Sequence, residues 1–299
     1  MPWANVGVIG TGAMGLGVVQ SLVRGGYCVF ARDIRPEAEA AAVASGAVAC
    51  ATPAALARQC SIIILLVVDA AQIDVVLFAD DGVATAITSG TIIVASSTVA
   101  PAYVRDLESK LARYGARLLD APVSGGPRRA ADGTMTIMLA GDASAAAECE
   151  PVFAAIAAKR FSLGSRPGDA ATFKILNNQL AAANLTAGAE AMALAMRAGI
   201  DPRRFLEVVN ASSGASWIFA DRMARALEGD YAPRAATQIL TKDIGIAIEA
   251  AAALDVDAAL ACRVRETFLA AVAAGYGDED DASLLKLCCD RAGIAWPRQ

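Results

Sequence analysis

Residues 5–33 read NVGVIGTGAMGLGVVQSLVRGGYCVFARD, and the chain is organised around them. Val6, Gly7, Val8 and Ile9 form a short apolar run, followed at once by Gly10-x-Gly12-x-x-Gly15. Met14, Val18, Leu22 and Val23 then recur at helical spacing. Tyr27, Cys28, Val29 and Phe30 make a second strand with Asp33 at its end. Strand, glycine turn, helix, strand and acid, in that order, make a dinucleotide-binding βαβ unit. The glycines have separate tasks there. Gly10 permits the tight turn, Gly12 leaves the backbone open to a pyrophosphate, and Gly15 lets the helix lie close to the sheet. Ala13 and Met14 complete the expected cofactor-binding turn. The competing reading is a tight turn in an unrelated α/β protein.

Outward from this unit the strand–helix alternation continues. Pro36–Ser45 reads as a helix, Ala47–Cys50 as a strand, and Thr52-Pro53 opens a helix running to Arg58. SIIILLVV at 61–68 is apolar throughout and fits a parallel strand buried on both faces. Further strands are expected at Thr91–Ala95, Ala116–Leu119, Thr134–Ala140 and Lys159–Leu163, with helices at Ala71–Phe78, Pro101–Tyr114 and Ser144–Ile156. The pattern predicts a Rossmann-type doubly wound, mostly parallel sheet over residues 1–163. From residue 164 the texture turns all-helical, opening with one long alanine-rich helix over about 168–198, expected to be buried by several neighbours. The chain thus reads as α/β followed by an all-helical domain, 164–299.

Composition narrows the chemistry. The chain has 299 residues, 56% of them hydrophobic and 19% charged, with a net charge of -5. No basic tract marks a nucleic-acid surface, and no apolar run is long enough to span a membrane. The seven cysteines are scattered without a CxxC pair, which together with the early first strand predicts reduced thiols in a cytoplasmic protein. There is no histidine, so proton transfer falls to Lys, Asp, Glu, Tyr or Cys, and no metal site is expected. The acids at 278–281 read as a solvated helix cap.

In doubly wound sheets ligands sit beyond the carboxyl ends of the strands. The residues there are Gly10–Met14, Asp33, Val67 and Val68, Thr98, and Asp120–Gly126. Thr98 reads equally as a contact on the nicotinamide side and as a helix cap before Pro101. Ser124, Gly125 and Gly126 offer a hydroxyl and backbone N–H groups suited to a carboxylate, or simply a flexible turn. Lys174 and Asn178 lie four apart on the long helix, with Phe173, Ile175 and Leu176 around the lysine. Lys174 is the natural proton-transfer group in a chain without histidine; the plainer reading is a surface lysine. Lys242-Asp243 reads either as a pair that reaches a cleft or as an internal ion pair.

Four of these motifs, in order, resemble the β-hydroxyacid dehydrogenase family over almost the whole chain: Gly10-x-Gly12-x-Met14-Gly15, Asp120-Ala121-Pro122-Val123-Ser124-Gly125-Gly126, Gly168 with Lys174-x-x-x-Asn178, and Lys242-Asp243. The resemblance implies Lys174 as catalytic lysine, Asn178 as its substrate-holding partner, and Ser124 and Gly125 as the carboxylate loop. It implies Thr98 and Lys242 at the cofactor, and dimers or tetramers built through the helical domain. The segments 67–72, 177–180, 216–219 (with Trp217 expected at the substrate) and 280–283 resemble the branch that oxidises L-threonate, although Asp69 stands where that branch is expected to carry Asn. Asp33 at the end of the second strand favours NAD, while Arg32 and Arg35 are two nearby cations for a 2′-phosphate. The expected partner is a small hydroxy acid. Reduction of tartronate semialdehyde or a related semialdehyde is the alternative within the family. A cofactor-binding regulator without turnover would let Lys174, Asn178 and Ser124 decay, and all three are present.

Overall fold

The computed structural model describes residues 5–298. The first part runs β1 (Val6–Ile9), α1 (Ala13–Arg24), β2 (Val29–Arg32), α2 (Pro36–Ala44), β3 (Val48–Ala49), α3 (Pro53–Ala57), β4 (Ile62–Leu65) and α4 (Ala70–Phe78). It continues with β5 (Ile92–Ala95), α5 (Pro101–Ala112), β6 (Arg117–Asp120), β7 (Val123–Ser124), α6 (Gly126–Asp132), β8 (Met135–Gly141), α7 (Ala143–Ile156) and β9 (Ala157–Ser162). The strand order is β3-β2-β1-β4-β5-β6-β8-β7, with β9 on β8. From β3 to β6 all neighbours are parallel, in register as Val6↔Val29, Val6↔Ile62, Ile62↔Ile92 and Ile92↔Arg117.

The apolar runs are explained by the two faces of this sheet. Val6, Val8, Ile62, Ile64, Ile92 and Val94 enter one core with Leu22 and Phe153. Their alternates Ile9, Ile63, Leu65, Ile93 and Ala95 enter a second core with Leu56, Ile73 and Leu107. A strand covered on both sides has no polar face to show, hence SIIILLVV rather than an alternating pattern. Ile63 is fully buried, and its truncation to alanine removes about 2–5 kcal/mol.

The far edge of the sheet departs from the expected parallel order. Val123 and Ser124 pair antiparallel with Ile137 and Thr136, and β8 is antiparallel to β6. The motif after Asp120 therefore contains a two-residue strand and a short helix, α6, that the sequence pattern had presented as a loop. Helix α6 packs closely on α1: a Cβ on Gly17 would lie 2.7 Å from the Ala130 methyl.

The chain divides into two compact units, Met1–Lys174 and Ile175–Gln299. The 29-residue helix α8 (Asp169–Arg197) starts in the first and runs into the second. Then follow α9 (Pro202–Asn210), α10 (Trp217–Leu227), α11 (Thr237–Ala252), α12 (Ala259–Ala271) and α13 (Leu284–Ala292). Their core gathers Leu185, Met192, Phe219, Met223, Ile244 and Phe268. Helix α8 is less enclosed than its composition suggests. Ala182, Leu185, Ala189 and Met192 are buried, but Phe173, Leu176, Leu180 and Leu194 are exposed. No helix among the described residues is long and apolar enough to cross a membrane.

Among the acids at 278–281, Asp278 is exposed and Asp280 does cap the next short helix, accepting the Ala282 N–H at 3.1 Å, but the last two are not solvated. Asp280 and Asp281 are fully buried. Asp280 accepts Arg225 Nη2 at 2.6 Å and the Arg234 N–H at 3.0 Å, and Asp281 accepts Arg222 Nε. Burial works to raise both carboxyls. The two arginines outweigh it at Asp280, which lies below the usual carboxylate range, and do not at Asp281, which lies above it. The run of four acids gave no sign that α10 supplies the compensating cations.

Candidate active site

The glycine turn is built as a phosphate cradle. A Cβ on Gly10, whose φ is +89°, would lie 2.7 Å from the Leu66 carbonyl carbon. One on Gly15 would lie 1.9 Å from the Gly10 carbonyl oxygen. These glycines are required by close packing of β1, α1 and the end of β4, which brings Val67 beside the turn. Gly12 is the N-cap of α1 and supplies no side-chain cap, so the first turn of this twelve-residue helix presents backbone N–H groups. That donor set suits a pyrophosphate. Ala13 is exposed at its mouth and Met14 half-buried.

Asp33 follows β2 and is tied to the same turn. Its Oδ2 accepts the Thr11 N–H at 2.7 Å, and its Oδ1 accepts the Arg35 N–H at 2.9 Å and Nε at 3.3 Å. Burial acts to raise this carboxyl, but the bonds from Arg35 and Thr11 outweigh it and hold Asp33 below the ordinary range. The acid is therefore ionised at neutral pH.

Beyond β4, Val68 is exposed and its N–H donates to Gln72 Oε1 at 2.9 Å. Asp69 caps α4 by accepting the Gln72 N–H at 2.9 Å, a local task that fixes this turn. Thr98 is half-buried after β5. It is not the cap of α5: Ala100 holds that position and makes no side-chain cap bond.

Asp120 ends β6 and is 1% exposed. Its Oδ2 accepts the N–H groups of Gly168 at 2.8 Å and Ala171 at 2.9 Å, so it caps the start of α8. Burial pushes its carboxyl up to about 6, against the pull of these backbone donors. The sequence offered no link between positions 120 and 168. Ser124, Gly125 and Gly126 follow, half-buried, with φ of +134° and +75° at the two glycines. The positive φ values let the loop turn and enter α6.

Lys174 lies in the second turn of α8 and is half-buried. Of the apolar neighbours in sequence, Ile175 is buried, but Phe173 and Leu176 are exposed. Adjacent residues on a helix point to different sides, so sequence proximity does not make a pocket. In the second unit, Asn178 is buried and its Nδ2 donates to Asp243 Oδ2 at 2.7 Å. Lys242 Nζ pairs with the other oxygen of Asp243, also at 2.7 Å. Asp243 thus holds both residues, a role the Lys-Asp dipeptide hinted at without identifying its second partner. Trp217 is 55% exposed and lies against the Arg222 guanidinium, 5.9 Å from its ring centre. No cluster of metal-ligating residues occurs among the described residues.

Comparison with known proteins agrees with this layout. Residues 5–164 match the family described as the NAD binding domain of 6-phosphogluconate dehydrogenase, and residues 168–288 the family described as NAD-binding of NADP-dependent 3-hydroxyisobutyrate dehydrogenase. The chain is 44% identical to an L-threonate dehydrogenase of Cupriavidus necator over 95% of both chains. It is 40% identical to an L-threonate dehydrogenase of Escherichia coli K12, over 98% of this chain and 96% of that protein. A solved 3-hydroxyisobutyrate dehydrogenase from Salmonella typhimurium superposes with a TM-score of 0.89 at 39% identity, over 95% of this chain and 99% of that one. The chain belongs to the β-hydroxyacid dehydrogenase family of NAD-binding oxidoreductases that act on small hydroxy acids.

Proposed function

We propose that the protein oxidises L-threonate to 2-oxo-tetronate, with Lys174 as the general base. The observation that carries the substrate is the 44% identity to an L-threonate dehydrogenase across nearly the full length of both proteins. NAD supplies the hydride acceptor. Acting as the base, Lys174 Nζ takes the hydroxyl proton as the carbon–hydrogen bond yields its hydride, leaving a ketone beside the carboxylate. In the reverse direction the same ammonium returns the proton to the forming alkoxide. Ser124 and the Gly125 and Gly126 N–H groups receive the substrate carboxylate. Asn178, oriented by Asp243, holds a neighbouring hydroxyl. Trp217 contributes a substrate wall, and Thr98, Val67, Val68 and Lys242 contact the cofactor. The ketone lies next to the carboxylate and not β to it, so no decarboxylation follows.

On this reading residues 1–163 bind the cofactor, 164–299 bind substrate and partner subunits, and the working form is a cytoplasmic homodimer or homotetramer. The exposed Phe173, Leu176, Leu180 and Leu194 on α8 support a covered face. The name of the Salmonella protein favours one second reading, interconversion of a short semialdehyde and its alcohol. A panel of L-threonate, D-threonate, D-erythronate, D-glycerate and 3-hydroxyisobutyrate, each with NAD and NADP, separates the two. Preference for L-threonate with NAD is the expected result; preference for 3-hydroxyisobutyrate or D-glycerate keeps the lysine chemistry and overturns the substrate.

A further inference from the structure

Two arginines flank Asp33, and a chain that prefers NAD has to keep both away from a 2′-phosphate. A 2′-phosphate is a dianion near neutral pH and is recognised best by guanidinium groups. Arg35 is held by Asp33 itself, Nε to Oδ1 at 3.3 Å. Its guanidinium also lies over the glycine turn: a Cβ on Gly12 would be 3.1 Å from Arg35 Nη2. Arg32 is held by a different carboxylate. Its Nη1 donates to Glu39 Oε1 at 3.0 Å and to the Asp33 carbonyl at 2.7 Å. Glu39 Oε1 also accepts the Asp33 N–H at 3.5 Å. Glu39 therefore lies against the backbone of the ribose-binding acid, on α2, six residues along the chain.

The arrangement is two cations with one carboxylate each. Both members of the Arg32–Glu39 pair are about three-quarters buried, at 27% and 23% side-chain exposure, so solvent and salt screen it only in part. Removing Glu39 leaves Arg32 uncompensated beside the adenosine ribose site, held by one carbonyl oxygen. Removing Asp33 frees Arg35 in the same way.

We propose that Glu39 is a cofactor-selectivity residue: by occupying Arg32 and adding a negative charge beside Asp33, it shares with Asp33 the exclusion of NADP. The chain is then a latent NADP binder, with both phosphate-binding cations present and neutralised. The competing account is that Glu39 only staples α2 to the end of β2, in which case its loss affects NAD and NADP alike.

The test is direct binding, without substrate. The dissociation constants of NADH and NADPH are measured by nucleotide fluorescence for the wild type, Glu39→Gln, Asp33→Asn, the double variant and Glu37→Gln. Glu37 is exposed in the same first turn of α2 and controls for a generic loss of charge. Glu39→Gln is expected to shift the NADPH-to-NADH affinity ratio toward NADPH by about fivefold, as befits one partly screened ion pair. Asp33→Asn shifts it further, the double variant furthest, and added salt erodes each gain. Adding Arg32→Gln to Glu39→Gln abolishes the gain, because the released cation is then gone. An equal change in both affinities, the same ratio shift from Glu37→Gln, or a gain that survives Arg32→Gln would each overturn the proposal.

Discussion

Asp120 offers the sharpest test of how the α/β unit holds the start of α8. Its carboxylate is buried, caps the helix with one oxygen, and titrates at about 6 rather than at its ordinary 3.8. The gap corresponds to about 3 kcal/mol. The sign follows from the raised value. Below 3.8 the group is protonated folded and unfolded and costs nothing. Between 3.8 and 6 the unfolded chain releases its proton while the folded chain keeps it, so stability falls as pH rises. Above 6 the loss is complete. Asp120→Asn removes the charge while keeping an acceptor for the Gly168 and Ala171 N–H groups. Urea unfolding of both proteins from pH 5 to pH 8 is the assay. The wild type is expected to lose ground to the variant as pH rises, with roughly half of the 3 kcal/mol falling inside that window. Parallel stability curves would refute the reasoning, because they would mean that the dipole of α8 solvates the carboxylate as well as water does.

Three further perturbations are within reach of the same methods. Gly10→Ala forces a methyl group into the Leu66 backbone at a φ of +89° and should weaken NADH binding at least tenfold, costing roughly 1–3 kcal/mol of strain, read by fluorescence titration. Arg222→Ala strands Asp281 and weakens the compensation of Asp280; a loss of about 3–5 kcal/mol in chemical unfolding is expected, and a loss under 1 kcal/mol would show that the pair is not desolvated as described. Asp243→Ala unties Asn178 and Lys242 together and should lower kcat/KM for the hydroxy acid roughly tenfold, with Asp243→Asn, which keeps an acceptor for Asn178, recovering part of it.

The βαβ opening was legible because each of its residues answers a local demand: turn, close approach, helix packing, strand end. The doubly buried strands were legible for the same reason, since Ile62–Leu65 has no polar alternate to hide. What escaped the sequence depends on contacts between distant positions. Asp120 reads as a strand end, and only its bonds to Gly168 and Ala171 make it the cap of α8. Asp280 and Asp281 read as a solvated cap because the arginines that compensate them lie more than fifty residues earlier. Glu39 reads as an ordinary first-turn acid of α2 until its distance to Arg32 is known. Lys174 is half-buried on α8, and of the apolar neighbours that drew attention to it only Ile175 is buried, while Phe173 and Leu176 are exposed.

One measurement bears on the central claim more directly than any other: formation of NADH from L-threonate and NAD by the wild type and by Lys174→Ala, with NADH affinity measured alongside. Robust turnover by the wild type, a loss of roughly three orders of magnitude in the variant, and unchanged NADH affinity are expected. Turnover that survives in Lys174→Ala, or a wild type inert toward L-threonate but active on another hydroxy acid, would contradict the claim.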